Sequence, residues 1–518
     1  MKKALIFTIF GVIICGLVFP AQSPEGKELT LKDAIYHALK NNLGLQVQKA
    51  QTRVARLNLR INRAQLYLPT LEVESNYQKS KQPSFDALDG VDFVEEDTFS
   101  WDVGINQRTP LGGLFSVSFD SSRDTTNVVT ATYNPQLETS LTVSLNQPLL
   151  RNFGTLATNY QIYIAANDHK MSQYQLEEAV IDLVYDVEAA YWELVYAHQN
   201  LEAAKTALKR ARDLLKQNEI KVKVGTIAPI EVLSSKANVA RNESTVIQAE
   251  QAIQSREEAL KRILNMSKEP FAIIPKDEPE IKDIPVDFNA FLREAMNNRA
   301  DMNRVKINLE SNGITVKYQK NQLLPNLQMD ASYGGHGYGG TTWSFPIENP
   351  FDPAFEPVEE ETIRFGDMVK DIFKLEYPAL SVNVNLQTPI LLTAERARLA
   401  QAKIGRERAI LELKDLENTI YSEVKDVIRQ WESNKQLVDA DRIALELEGE
   451  NLKAEEKKLS VGLSTNFQVL QYQQQYAAAE TQLLRSTINY VLTTARIDQV
   501  LNRTLKKYNI EFKKILGK

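Results

Sequence analysis

The side chains that could do chemistry are few and scattered. Four histidines, His37, His169, His198 and His336, lie far apart and lack the spacing that a metal ion requires. They read as ordinary surface or interface residues. The one cysteine, Cys15, falls in the N-terminal apolar stretch, so the remainder has neither a disulfide framework nor a thiolate metal site. Neighbouring acids such as Glu177 and Glu178 fall on the exposed face of a heptad-patterned segment. There is no nucleophile motif and no glycine-rich phosphate loop at a strand–helix turn. The expectation is therefore no catalysis, no cofactor and no metal. A formal net charge of −6 without a basic stripe argues against nucleic acid as a partner.

Without reactive groups to position, the elements themselves become the question. Residues 1–23 read as an export signal: Lys2 and Lys3, then a nearly unbroken apolar run from Ala4 to Phe19, then small residues at Ala21 and Ser23. A membrane anchor and lipidation at Cys15 are the competing readings. Mean hydropathy is −0.33, which excludes a polytopic helical membrane protein. No second run of 18 or more apolar residues exists, so further insertion into lipid would have to use strands.

The chain is written twice. Val224-Gly225-Thr226 with Val232-Leu233 recurs 237 residues on, from Gly225 to Gly462, as Val461-Gly462-Leu463 with Val469-Leu470. A heptad stripe keeps the same offset. Val187, Leu194, Leu201 and Leu208 fall on Val424, Trp431, Val438 and Leu445. The pattern predicts two very long helical hairpins packed as coiled coils, the first with a helix over 155–223 that is roughly 100 Å long. In each half a first helix (30–66 and 287–322) precedes them. Leu68-Pro69-Thr70-Leu71 and Leu324-Pro325-Asn326-Leu327 then switch the period from helical to alternating. A second alternating run, Leu141 to Leu145 and Leu380 to Leu386, ends at Pro148 and Pro389.

Between the strands, Phe85–Asp97 and Gly334–Tyr377 read as long polar loops. Phe99–Ser121 reads as a hairpin around Thr109-Pro110-Leu111-Gly112-Gly113 that is either an extracellular flap or two further strands. The expected layout is a first repeat over 24–269 with its tip near 225, a proline-rich linker over 270–286, a second repeat over 287–505 with its tip near 462, and a tail over 506–518. The fold class is mainly α with a β-barrel portion and about four membrane strands per chain. Four two-faced strands cannot close alone, and an open edge in lipid leaves backbone groups unpaired at several kcal/mol each. Several copies must therefore share one wall. A periplasmic or surface coiled-coil scaffold without a pore is the rival reading.

The duplicated layout, the paired Val-Gly tips and the proline switches at Pro69 and Pro148 resemble the TolC family of outer-membrane efflux and secretion channels. The resemblance covers about residues 28 to 505. It implies a passive exit duct: a homotrimer with a twelve-stranded barrel in outer-membrane lipid and a long periplasmic helical tunnel. It also implies docking of a periplasmic adaptor at the tips (Val224, Gly225, Thr226, Glu231, Val232, Leu233, Val461, Gly462, Leu463, Val469, Leu470) and coupling to an inner-membrane pump of RND, ABC or MFS type. The constriction would fall at Glu231, Gln468 and Gln471. The family's acidic ring is replaced by those glutamines, its gating arginine by Ser464 and its gating tyrosine by Leu459. A glutamine ring holds cations weakly, so weak cation block is expected.

Overall fold

The computed structural model describes residues 26–86, 89–344 and 359–516 of the 518-residue chain. The export-signal segment and Cys15 lie outside them. In chain order the elements are β1 (Lys27–Leu29), α1 (Leu31–Asn41), α2 (Leu43–Tyr67), β2 (Thr70–Pro83), β3 (Phe93–Arg108), β4 (Leu114–Thr126) and β5 (Tyr133–Pro148). Next come α3 (Thr155–Thr158), α4 (Tyr160–Lys223), α5 (Pro229–Leu264), β6 (Ile273–Pro275), α6 (Phe288–Asn298) and α7 (Ala300–Asn321). The rest are β7 (Asn326–Ser344), β8 (Glu359–Ile363), α8 (Phe365–Lys374), β9 (Tyr377–Gln387), α9 (Thr393–Ser460), α10 (Asn466–Val500), α11 (Thr504–Lys507) and α12 (Phe512–Ile515).

Two compact units result, and neither is one half of the sequence. The first takes the described residues up to Gln46 with Ala179–Ala295 and Ser422–Phe512; the second takes Val47–Glu178, Met296–Tyr421 and the residues from Lys513.

The first unit is helical. Its core is the heptad stripe: Val187, Leu194, Val424, Trp431 and Val438 are all buried, as are Tyr490 and Ile497 from α10. Alanines at 197, 204 and 211 are also buried and allow neighbouring helices to come close. The linker between the halves is tied down here. β6 pairs in parallel with β1. The Tyr191 hydroxyl on α4 accepts from the Lys276 and Asp277 amides at 3.1 and 3.2 Å, and lies 3.0 Å from the Leu29 carbonyl and 2.8 Å from the Asp277 carboxylate. At the far end of the chain, Lys507 and Tyr508 both donate to buried Glu188.

The second unit is built on a seven-stranded antiparallel sheet in the order β2-β3-β4-β5-β7, with β9 and the short β8 both on the outer side of β7. This is wider than the four strands secured from the sequence. The hairpin left open at 99–121 is fully inside the sheet, with Val103 opposite Phe119 and Ile105 opposite Val117. Two loop expectations are corrected. Residues 93–97 are strand, because Glu95 and Asp97 pair with Lys81 and Lys79 across β2 at 2.5 and 3.2 Å. Residues 334–344 continue β7, and 365–374 form a helix. That helix buries Met368 and Ile372 against β7. Glycine is needed for this approach, since a side chain at Gly337 would collide with the Met368 carbonyl oxygen.

Three helices expected to be continuous are each broken once. Asn42 is extended, and its side chain accepts from the Leu45 amide at 2.9 Å, separating α1 from α2. Asn159 separates α3 from α4, and Arg299 separates α6 from α7.

Candidate functional site: helical tips and strand wall

Both tips turn by the same backbone device. Gly225 and Gly462 adopt φ of 76° and 79°, the left-handed region that other residues enter at a cost of about 1 kcal/mol. The next amide reaches back five residues to close the helix: Thr226 to the Lys221 carbonyl and Leu463 to the Lys458 carbonyl, each at 2.9 Å.

The return helices start differently. In the first hairpin Pro229 opens α5, and Glu231 in the first turn faces the positive end of the helix dipole. In the second, Thr465 and Gln468 form a capping box. Ser464 adds to it, donating to Glu455 at 2.5 Å and lying 3.0 Å from the Gln468 side-chain oxygen. Lys458 also pairs with Glu455, at 2.9 Å. The hydrogen bond from Ser464, then Lys458, holds the Glu455 carboxyl below the ordinary glutamate range.

Of the residues expected at the tips, Val224, Leu233, Val461 and Leu463 are exposed, Leu463 at 78%. Gly225 and Thr226 lie beside them at the surface, and Glu231 and Val232 are half-buried. Val469 and Leu470 are buried instead, Val469 at 1% exposure, where they pack with Leu214 and Leu452. Leu214 belongs to α4 and Leu452 to α9, so this cluster fastens the second hairpin to the first. Gln468 and Gln471 are exposed, but the Gln468 amide is engaged by its own turn.

Sequence reasoning missed Ile230 and Phe467, which are exposed on the first turns of α5 and α10. The signal was available, because these two positions are also 237 apart. A polar pair lies just behind the first tip, with buried Asn218 donating to Ser235 at 2.8 Å.

The proline switches lie where strands meet helices. Pro69 separates α2 from β2, and Pro389 follows β9. Pro148 and Pro325 bracket one junction. The Leu149 amide donates to the Leu327 carbonyl at 2.8 Å and the Arg151 amide to the Pro325 carbonyl at 3.2 Å. Arg151 also donates to Gln322 at 2.9 Å, so the exit of one half's strand is fastened to the entrance of the other's.

The sheet has two unlike faces. Leu71, Ile105, Val117, Val143, Tyr333 and Leu380 are directly opposed in one row across all six long strands. One residue along, Glu72, Gly104, Ser118, Thr142, Gly334 and Ala379 form the row on the other face, and the next row on that face holds Glu74, Asp102, Asp120, Ser140, His336 and Tyr377. The apolar row is largely exposed, Leu380 at 73%. Among the described residues no helix is long and apolar enough to cross a membrane, and no group of three His, Cys, Asp or Glu could hold a metal ion.

Comparison with known proteins agrees with this architecture. Similar folds are found in a membrane protein from Pseudomonas aeruginosa (TM-score 0.65, 17% identity, 91% of this chain and 90% of that one). The outer membrane protein VceC from Vibrio cholerae matches with TM-score 0.62 and 14% identity over 91% of this chain and 95% of that one. The Campylobacter jejuni CmeC outer membrane channel gives 0.62 and 14% over 93% and 89%. No curated relative matches the chain in sequence. The family model described as outer membrane efflux protein matches residues 34–266 and 291–503, one stretch in each half. Those residues make up most of the chain, which therefore belongs to the outer membrane efflux protein family, the TolC-type channels that its repeat and tips resemble.

Proposed function

We propose that three copies of this chain close into a passive exit duct through the outer membrane, with the helical hairpins extending into the periplasm and docking an adaptor at their tips. The observation that carries this reading is the sheet. It has one exposed apolar face, one polar face, and two outer strands, β2 and β9, that among the described residues each pair on one side. Such edges are tolerated in lipid only when a barrel closes. β2 begins at a helix and β9 runs back towards one, so the edges of adjacent copies meet antiparallel, as in other membrane barrels.

The docking surface comprises Val224, Gly225, Thr226, Ile230 and Leu233 at the first tip and Val461, Gly462, Leu463 and Phe467 at the second. Glu231, Gln468 and Gln471 contribute the constriction. Transport energy comes from an inner-membrane pump to which the adaptor couples, and the chain itself carries out no chemistry.

Purified protein reconstituted in planar bilayers tests the duct. The expected result is stepwise ion conductance from a heat-modifiable oligomer, with weak block by trivalent cations, because the second tip offers the Gln468 and Gln471 amides and leaves Glu231 as the acid at the constriction. Strong block would overturn the assignment of the glutamine ring. A heat-insensitive monomer without conductance would favour a scaffold without a pore.

A further inference from the structure

The hairpin of β3 and β4 is the feature that the family resemblance does not anticipate. It is not an appendage above the sheet. β2 pairs with β3 along its whole length, from Thr70 opposite Asn106 to Pro83 opposite Phe93. β4 pairs with β5 from Leu114 opposite Asn146 to Asp124 opposite Gln136. Among the described residues β2 does not pair with β5, and the hairpin connects them in the sheet.

Its turn lies at the helix-proximal end. The Gly154 amide, at the entrance to α3, donates to the Leu111 carbonyl at 3.1 Å. A side chain at Gly112 would press on the Asn152 carbonyl oxygen and the Thr158 hydroxyl. The hairpin therefore crosses from the outer end of the sheet to the helices and back.

Its side chains follow the same partition as the rest of the wall. Phe99, Trp101, Val103 and Ile105 of β3, and Phe115, Val117 and Phe119 of β4, fall on the apolar face in register with Leu71 and Val73 on one side and Leu141, Val143 and Leu145 on the other. Ser100, Asp102, Ser116, Ser118 and Asp120 fall on the polar face. A flap in water has no reason to keep this alternation in phase with both neighbours, because a slip of one residue would invert it. Strands of 16 and 13 residues also exceed the 9–11 residues needed to span the hydrocarbon core.

We propose that this hairpin is part of the lipid-facing wall, so that each copy supplies six full-length strands and the shared barrel has eighteen rather than twelve. This rests on the trimeric duct proposed above. An even number per copy preserves antiparallel closure at each seam. Barrel diameter grows with strand number, so at ordinary strand spacing and tilt the wall widens from about 24 Å to about 36 Å between backbones. The outer-membrane section of the conduit is then wide enough to hold an aqueous channel of porin size, lined by Glu72, Glu74, Asp102 and Asp120.

The test is a nitroxide scan of the full chain in lipid nanodiscs, with Cys15→Ser as background. Single cysteines at Ser116, Val117, Ser118 and Phe119 are compared with controls at Leu141, Thr142, Val143 and Ser144. Collision with molecular oxygen reports lipid, and collision with a water-soluble nickel chelate reports the lumen. The wall assignment expects oxygen to dominate at 117 and 119 and nickel at 116 and 118, in phase with oxygen at 141 and 143 and nickel at 142 and 144. Nickel dominance at all four β4 positions while the controls still alternate would overturn the eighteen-stranded barrel and leave the duct standing. Loss of alternation in the controls as well would overturn both.

Discussion

Glu455 stands at the base of the second tip with its two carboxylate oxygens divided between Ser464 and Lys458. Because these partners lower its pKa, the stabilisation it gives is complete above the ordinary glutamate value of 4.5 and is lost as pH falls through the lower folded value. Amide exchange over 464–468, corrected for intrinsic rates, is expected to accelerate on acidification below 4.5, and Ser464→Ala to shrink that response; a tip indifferent to pH would contradict it. Tyr191 gives the opposite sign. Burial pushes its hydroxyl up to about 12 from 10.0, so the knot it ties between β1 and β6 is intact below 10.0 and weakens as pH rises towards the folded value. Tyr191→Phe leaves the Lys276 and Asp277 amides without their acceptor and is expected to destabilise the first unit by about 1–3 kcal/mol. Faster exchange at Lys27–Leu29 and Ile273–Pro275 in that variant is the check, and unchanged protection would refute the role. The Tyr191 contact was not legible in the sequence, since it joins residues whose proximity is fixed only when the helices pack, whereas Glu455 and Lys458 are one helical turn apart and their pairing is local.

At the scale of elements, the hairpin tips and the proline switches were readable because their causes are local. A left-handed glycine, a missing amide and a change of period from 3.6 to 2 are written in a few consecutive residues. The helix breaks at Asn42, Asn159 and Arg299 were lost in otherwise continuous periodicity, although asparagine at two of them offered a weak cue. Strand 93–97 was hidden by its acids, whose lysine partners on β2 are 14 and 18 residues away. The hairpin around Gly112 was read as a hairpin, but alternation alone does not say which strands flank it. Its placement gives a contrast between neighbouring positions. Val103→Lys puts a charge on the apolar face and is expected to lower barrel stability by about 2–4 kcal/mol. Asp102→Lys, on the polar face, is expected to spare stability and reduce any preference of the pore for cations. Heat-modifiable migration and reversal potential read the two effects, and equal damage from both would argue that the face assignment is wrong.

For the whole molecule, the sequence made the duplication legible, and the proposal that several copies share one wall rests on the physics of a two-faced sheet, whose bare edges cannot be stable in lipid alone. The sequence did not make the width of the wall legible. Two strands per half were secure from their prolines, and the remaining two depended on pairings across β2 and β5 that only the folded sheet specifies. The exposed stripe Leu43, Val47, Val54, Leu57 and Ile61 along α2, like the apolar residues Ile404 and Leu411 on α9, is the helical counterpart of the sheet edges, and assembly is expected to cover both. The most direct measurement is electron cryomicroscopy of the purified protein in lipid nanodiscs. The account predicts three copies around one continuous wall of eighteen strands, with β9 of each copy beside β2 of the next. Single copies in the disc, or sheets with both outer strands still uncovered, would contradict it.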